Sequence, residues 1–262
     1  MNSIENVLDL LQEINNTYSS FIQESNFVRV DNNISWPNYR KGLNKSFYVR
    51  QYQELLSQRQ YSFLLIDKSF IQIYFEFDVA SNIKTIKYSY YPYPIILNEK
   101  VDTIESYFDN YTDEAISQFY YDLLNVMSEE VGITLNDKER EETILFFKET
   151  YGYQLAESDL RQIAFDKIYE LTNYSHFRMD YDATVSTHHK CEFQFGAIKQ
   201  IRLPIAKILT PFIFFDYVLR YFFKKNYSSL VSERVYKRNF LRQKRNCIPI
   251  ANFKEHSFYK VI

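Results

Sequence analysis

The chain is short of the residues on which several common chemistries depend. Two cysteines, Cys191 and Cys247, in 262 residues cannot build a disulfide framework and fall short of the ligands of a zinc ribbon. Four glycines, at 42, 132, 152 and 196, allow neither a phosphate-cradling glycine loop nor a dinucleotide-binding fingerprint, which disfavours nucleotide-cofactor chemistry. No apolar run approaches the ~20 residues that cross a bilayer. The nearest, residues 205–223, is interrupted by Lys207, Pro211, Asp216 and Arg220 and reads as a buried helix. The first residues carry acids where a signal peptide needs positive charge. A reducing cytoplasm is the expected setting, with no membrane partner.

Aromatic residues are abundant instead. Twenty-four Tyr and 23 Phe point to a core and interfaces packed with rings rather than to base-stacking platforms. The net charge of -2 conceals an asymmetry: residues 1–96 are neutral, 97–160 carry -12 and 161–262 carry +10. An acidic middle and a basic final third imply two surfaces with different partners, the basic one suited to an anion such as a nucleic-acid backbone.

Apolar spacing predicts an amphipathic helix over residues 3–20, capped by Ser3, then a short strand from Phe27 to Val30 and a helix over 45–59. From Tyr61 the period falls to two, which predicts an antiparallel meander: a strand, a tight Asp67-Lys68 turn, a strand through Ile71, Ile73, Phe75 and Phe77, and a third strand over 83–91. Residues 97–172 read as an acidic helical insertion opened by cap-like Thr112, Asn136 and Ser158. Strands resume at 175–182, 190–195 and 199–203. Pro211 then starts an apolar helix, and residues 228–246 read as one basic helix. The expected architecture is α+β: a single domain, 1–262, with a mostly antiparallel sheet of five or six strands, an N-terminal helix, the insertion, and C-terminal helices in a basic segment from 226 to 262.

The candidate chemistry gathers in residues 174–211, where three of the four histidines lie within 14 positions. On a strand, His176, Arg178, Asp180 and Asp182 share one face. His176 would titrate near neutral pH, Arg178 would hold a phosphate or oxyanion, and Asp180 would orient a histidine or bind a metal. In a hairpin, His188 and Glu192 on the next strand would meet them, with Arg202 in support. Two arrangements follow from these residues. A divalent metal would sit among Asp180, Asp182, His188, His189 and Glu192, a set whose Glu192-Phe193-Gln194 part has the loose spacing of metal-dependent nucleases. Without a metal, histidines flanked by arginines would run acid and base steps on RNA, whose 2′-hydroxyl is the nucleophile. A polar outer strand face with no chemistry is the competing reading. Cys191, out of phase with Glu192, points into the core. Beyond the cluster, Lys224, Lys225, Arg234, Lys237, Arg238, Arg242, Lys244 and Arg245 stand against one acid, Glu233, and make a nucleic-acid-binding surface.

Six ordered pieces carry a family resemblance: residues 65–72 (LIDKSFIQ), 90–94 (YYPYP), 178–181 (RMDY), 188–192 (HHKCE), 202–204 (RLP) and 211–214 (PFIF). The chain resembles a family of uncharacterised bacterial proteins known only as a domain of unknown function. Family members carry a His-Pro pair and a later histidine where this chain has His189 and Glu192, which weakens a histidine-based metal site. The Arg-x-Asp strand followed by clustered histidines is also similar to small bacterial ribonuclease toxins, proteins often found in toxin or phage-defence operons. The expectation is therefore a nucleic-acid-directed hydrolase or ribonuclease-like effector. The alternative is a non-catalytic subunit of a defence complex, holding nucleic acid with its basic end and a protein partner on the acidic helices of 97–172.

Overall fold

A computed structural model of the chain describes residues 1, 3–40, 48–97, 119, 121–123, 135–152, 155–171, 173, 175–196, 198–251 and 253. The chain divides into two compact units. The first takes in Met1–Lys45, Gln58–Tyr93 and Ser175–Ile262; the second takes in Ser46–Ser57 and Pro94–Tyr174.

The first unit is built on one sheet. Helix α1 (Ile4–Thr17) begins where the Ser3 hydroxyl accepts the Asn6 N–H at 3.2 Å, and its stripe of Ile4, Val7, Leu11 and Ile14 is buried. Strands β1 (Ile22–Ser25), β2 (Val28–Val30) and β3 (Asn33–Ser35) follow. Next come β4 (Phe63–Leu65), β5 (Phe70–Phe77) and β6 (Ile83–Tyr91). At the Asp67-Lys68 turn the Asp67 carboxylate accepts the Ser69 N–H at 3.0 Å while Lys68 takes φ 66°. The chain returns through β9 (Phe177–Asp182), β10 (Cys191–Phe195) and β11 (Ile198–Pro204). The sheet runs β1-β4-β5-β6-β9-β10-β11, with β2 and β3 added at the far end of β5, so it has nine strands where five or six were expected. Every pairing among the described residues is antiparallel.

Alternation gives this sheet two unlike faces. Ile71, Ile73, Phe75, Ile86, Tyr88, Tyr90, Met179 and Cys191 point to one side. There they form a single core with α1 and with Phe212, Phe214, Phe215, Val218 and Leu219 of α5 (Pro211–Phe222). Pro211 occupies the first turn of α5, and Thr210 caps it. The basic stretch is two helices rather than one, α6 (Lys224–Ser232) and α7 (Arg234–Arg245). The extended backbone of Glu233, φ -70° and ψ 133°, breaks the run, because Glu233 is the N-cap of α7. A short ladder, β12 (Lys207–Ile208) with β13 (Ile248–Pro249), closes the unit.

The second unit contains α2 (Tyr48–Ser57), a ladder between β7 (Ile95–Leu97) and β8 (Tyr169–Leu171), and helices α3 (Asp137–Tyr151) and α4 (Glu157–Ile168). Asn136 caps α3 as its side chain implied, accepting the Glu139 N–H at 3.0 Å. Ser158, expected as a cap, lies inside α4, whose N-cap is Ala156; there the Asp159 carboxylate accepts the Ala156 N–H at 2.9 Å. Thr112 lies outside the described residues, as does the start of the helix expected from residue 45. Arg140 joins α3 to α4 by bidentate bonds to Glu157 of 2.8 and 2.6 Å.

Candidate functional site

The sheet face turned away from the core carries the polar residues of β6, β9, β10 and β11. Register sets them in two rows. Ser89, Arg178, Gln194 and Arg202 are cross-strand partners in one; Lys87, Asp180, Glu192 and Pro204 are partners in the next. The hairpin of β9 and β10 thus puts Arg178, Asp180 and Glu192 on one face, as the alternation of residue types implied.

Within the rows the side chains are tied together. Arg178 donates to Gln194 Oε1 from Nε at 3.1 Å and from Nη2 at 2.5 Å, and its Nε lies 3.1 Å from Asp180 Oδ2. Gln194 Nε2 donates to Glu192 Oε1 at 2.6 Å, and Arg202 Nη1 donates to the same oxygen. The Glu192 side chain is only 4% exposed, so these donors are what make burial of its charge tolerable. The guanidiniums themselves stay accessible, with 41% of the Arg178 side chain and 47% of the Arg202 side chain exposed.

His188 joins the cluster from the loop before β10. Arg202 Nη1 lies 3.4 Å from His188 Nε2, and Thr187 Oγ1 lies 3.1 Å from Nδ1. Arginine can only donate, so in the neutral ring Nε2 accepts and Nδ1 carries the proton toward Thr187. Glu192 Oε1 is 3.9 Å from Nε2, placed to meet a protonated ring.

His176 behaves differently from the sequence expectation. Its ring stacks on Tyr91, centroids 4.7 Å apart and planes 19° from parallel. Gly196 closes over it, where an added Cβ would stand 3.0 Å from His176 Cε1 and Nδ1. Burial, and then the neighbouring Arg178, push His176 from its ordinary 6.5 down to about 4. It is neutral at pH 7 and does not titrate near neutrality, so its part is to pack beside Arg178. Burial also pushes the Asp180 carboxyl upward, against the pull of Arg178 and Lys87, and its Oδ1 is buried without a hydrogen-bond partner.

The metal set is not assembled. Asp182 accepts Thr184 N–H at 2.8 Å and Thr184 Oγ1–H at 2.6 Å, which spends it on the turn after β9. His189 turns to Phe253, ring centroids 6.1 Å apart. Among the described residues no group of three or more His, Cys, Asp or Glu side chains could hold a metal ion. Cys191 is buried in the core, its thiol pushed up to about 12, which rules it out as a thiolate nucleophile.

Of the basic residues, Lys224, Arg234, Lys237, Arg238, Lys244 and Arg245 are exposed, while the side chain of Lys225 lies outside the described residues. Arg242 is exposed but pairs with Glu13 at 2.5 Å, which anchors α7 to α1 together with the bond from Gln243 Nε2 to Glu13 Oε2 at 2.9 Å.

Sequence reasoning missed Lys87, Ser89 and Tyr91. They alternate on one face of β6 and are adjacent to β9 only through a pairing that bridges Pro94–Tyr174. It also passed over Asp216, seen only as a charge in an apolar run. Asp216 is 2% exposed and accepts from Tyr18 at 3.1 Å, Tyr227 at 2.8 Å and Tyr236 at 2.6 Å, with Arg220 3.3 Å away.

Among the described residues no helix is long and apolar enough to cross a membrane. The sequence model of a family described as an uncharacterised conserved protein, DUF2290, matches residues 15–256. No curated protein and no solved structure matches the chain.

Proposed function

Since the chain belongs to the DUF2290 family, an uncharacterised family that brings no activity with it, we propose a function from the site alone: metal-independent cleavage of RNA on the face of β9, β10 and β11. The observation that carries this reading is the row Arg178-Gln194-Arg202 with His188 attached to its end. Two half-exposed guanidiniums, each anchored by a neighbour on its own sheet face, suit the non-bridging oxygens of a phosphodiester.

In this scheme a phosphate draws Arg202 away from His188, since a guanidinium prefers an anion to a neutral ring and the existing contact is long at 3.4 Å. His188 Nε2 is then free to take the proton of a 2′-hydroxyl. That oxygen attacks phosphorus, the bond to the 5′-oxygen breaks, the departing oxygen takes a proton from water, and the hydroxide so formed takes the proton back from His188, leaving a 2′,3′-cyclic phosphate. Arg178 and Arg202 balance the charge that builds on the phosphorane. Glu192, 3.9 Å from Nε2, stabilises the imidazolium. The exposed basic side chains of α7 stand on the helical side of the sheet with α1 and offer RNA a second contact away from this face.

The test is incubation of the purified protein with labelled RNA and DNA, with and without a chelator, beside His188→Ala and Arg202→Ala. RNA should be cut in the presence of chelator, DNA should not, and each substitution should lower the rate about 10²-fold or more. No cutting under any metal would sink the catalytic reading. Retarded migration of RNA without cutting would favour a binding subunit that works through α7.

A further inference from the structure

Helix α5 carries two apolar stripes, and the core covers one of them fully. Phe212, Phe214, Phe215, Val218 and Leu219 are buried, whereas Ile213, Tyr217 and Tyr221, on the stripe beside Asp216 and Arg220, are only partly covered, with Tyr217 stacked on Phe193 of β10. This second stripe is one wall of a cavity of about 390 Å³. Phe240 and Cys247 stand on the α7 side, and Ile205 and Leu209 come from the chain around β12.

Polar groups in the lining are few and unequal. Asp216 is saturated by three tyrosines and Arg220. Arg220 is held in turn by Asp216 and by Tyr227 at 3.3 Å, with its guanidinium over the rings of Tyr227 and Phe240. The two remaining cations, Lys207 and Lys244, are exposed and have no ion-pair partner among the described residues. The walls are therefore electrically balanced by the Asp216-Arg220 pair, and an excess of two positive charges stands on the lysines.

We propose that this cavity binds an amphiphilic anion, with an apolar chain lying along Ile213, Tyr217 and Phe240 and a carboxylate or phosphate head on Lys207 and Lys244. Its volume and mostly apolar lining are those of small-molecule sites, in which a few polar groups fix orientation. A nucleotide fits less well, because the Asp216 carboxylate that could have read a base edge is already occupied by tyrosine hydroxyls. The site lies on the core side of the sheet, opposite Arg178 and Arg202, so it is independent of the proposed cleavage.

Dodecanoate, dodecyl phosphate, dodecanol and AMP are titrated into the full chain by calorimetry below their micelle concentrations. One equivalent of dodecanoate or dodecyl phosphate should bind, dodecanol about tenfold more weakly, and AMP not measurably. Comparing the two anions separates a carboxylate source from a phosphate ester. The double variant Lys207→Ala/Lys244→Ala should weaken the anions about tenfold and leave dodecanol unchanged. Ile213→Trp, which fills the cavity, should abolish binding of all three amphiphiles, with circular dichroism confirming the fold. Should Ile213→Trp unfold, Leu209→Trp from the opposite wall takes its place. Absence of saturable binding, equal binding of dodecanol and dodecanoate, binding unmoved by the filled cavity, or AMP as the tighter ligand would each overturn the proposal.

Discussion

Glu192 and His188 approach to 3.9 Å across a boundary, the carboxylate 4% exposed and the imidazole 42% exposed. One end of the contact is fixed by the sheet and the other is open to a visitor. Truncating Glu192 strands both Arg202 and Gln194. Glu192→Ala should destabilise the protein by about 1–3 kcal/mol in urea denaturation. Glu192→Gln, which keeps the volume and one acceptor, should do less; equal losses would mean that packing, not charge, holds the cluster.

The half-buried His176 makes stability depend on pH. Its folded value, about 4, lies below the ordinary 6.5, so between those limits the unfolded chain binds more protons. This contribution is complete above about pH 6.5 and is lost as pH falls toward 4. Asp180, pushed upward, contributes with the opposite slope, since its folded carboxyl holds a proton that the unfolded one has released. His176→Phe keeps a ring against Tyr91 and should flatten the denaturation midpoint relative to the parent on passing from pH 7 to pH 4.5. Parallel curves for the two proteins would contradict the assignment.

Asp216 holds four donors in one buried node. Asp216→Ala leaves three tyrosine hydroxyls and Arg220 without their acceptor and should cost about 3–5 kcal/mol. Asp216→Asn, which still accepts, should cost less. Thermal or chemical unfolding read by tyrosine fluorescence measures both.

The exposed basic stripe of α7 should govern salt dependence. Arg234→Ala and Arg238→Ala should each weaken RNA binding uniformly across sequences and lower the slope of log affinity against log salt by about 1. Filter binding at several salt concentrations checks this. Arg242→Ala should instead lower stability, since its partner is Glu13.

Local signals in the sequence were enough for much of the fold. Ser3, Asn136 and Pro211 mark helix starts by chemistry that acts over one turn, and the alternation in β5, β6 and β9 separates core from polar face. The polar hairpin was legible for the same reason, because Arg178, Asp180 and Glu192 are set by period and a short loop. What escaped depends on distant pairings. Lys87 joins Asp180 only through the β6–β9 ladder, and His176 loses its ordinary titration through Tyr91 and Gly196. Of the three tyrosines around Asp216, Tyr18 comes from the other end of the chain and Tyr227 and Tyr236 from the next two helices, so their meeting depends on how α1, α6 and α7 pack on α5 and not on local spacing. The break between α6 and α7 was missed because apolar residues at helical spacing, Leu230 and Val231 before Glu233 and Val235 and Tyr236 after it, continue across it.

The β6–β9 ladder also bears on how the protein is made. Lys87 cannot meet Asp180 until the whole of Pro94–Tyr174 has been synthesised, and β10 and β11 can add only after β9. During translation the nascent meander of β4, β5 and β6 therefore waits with an open β6 edge, a template for pairing with other chains. The entropic penalty of the long closure rises by only about 0.6 kcal/mol per doubling of the intervening length. The hazard is thus one of timing: yield from the ribosome should be more sensitive to crowding of nascent chains than the finished protein's stability would suggest.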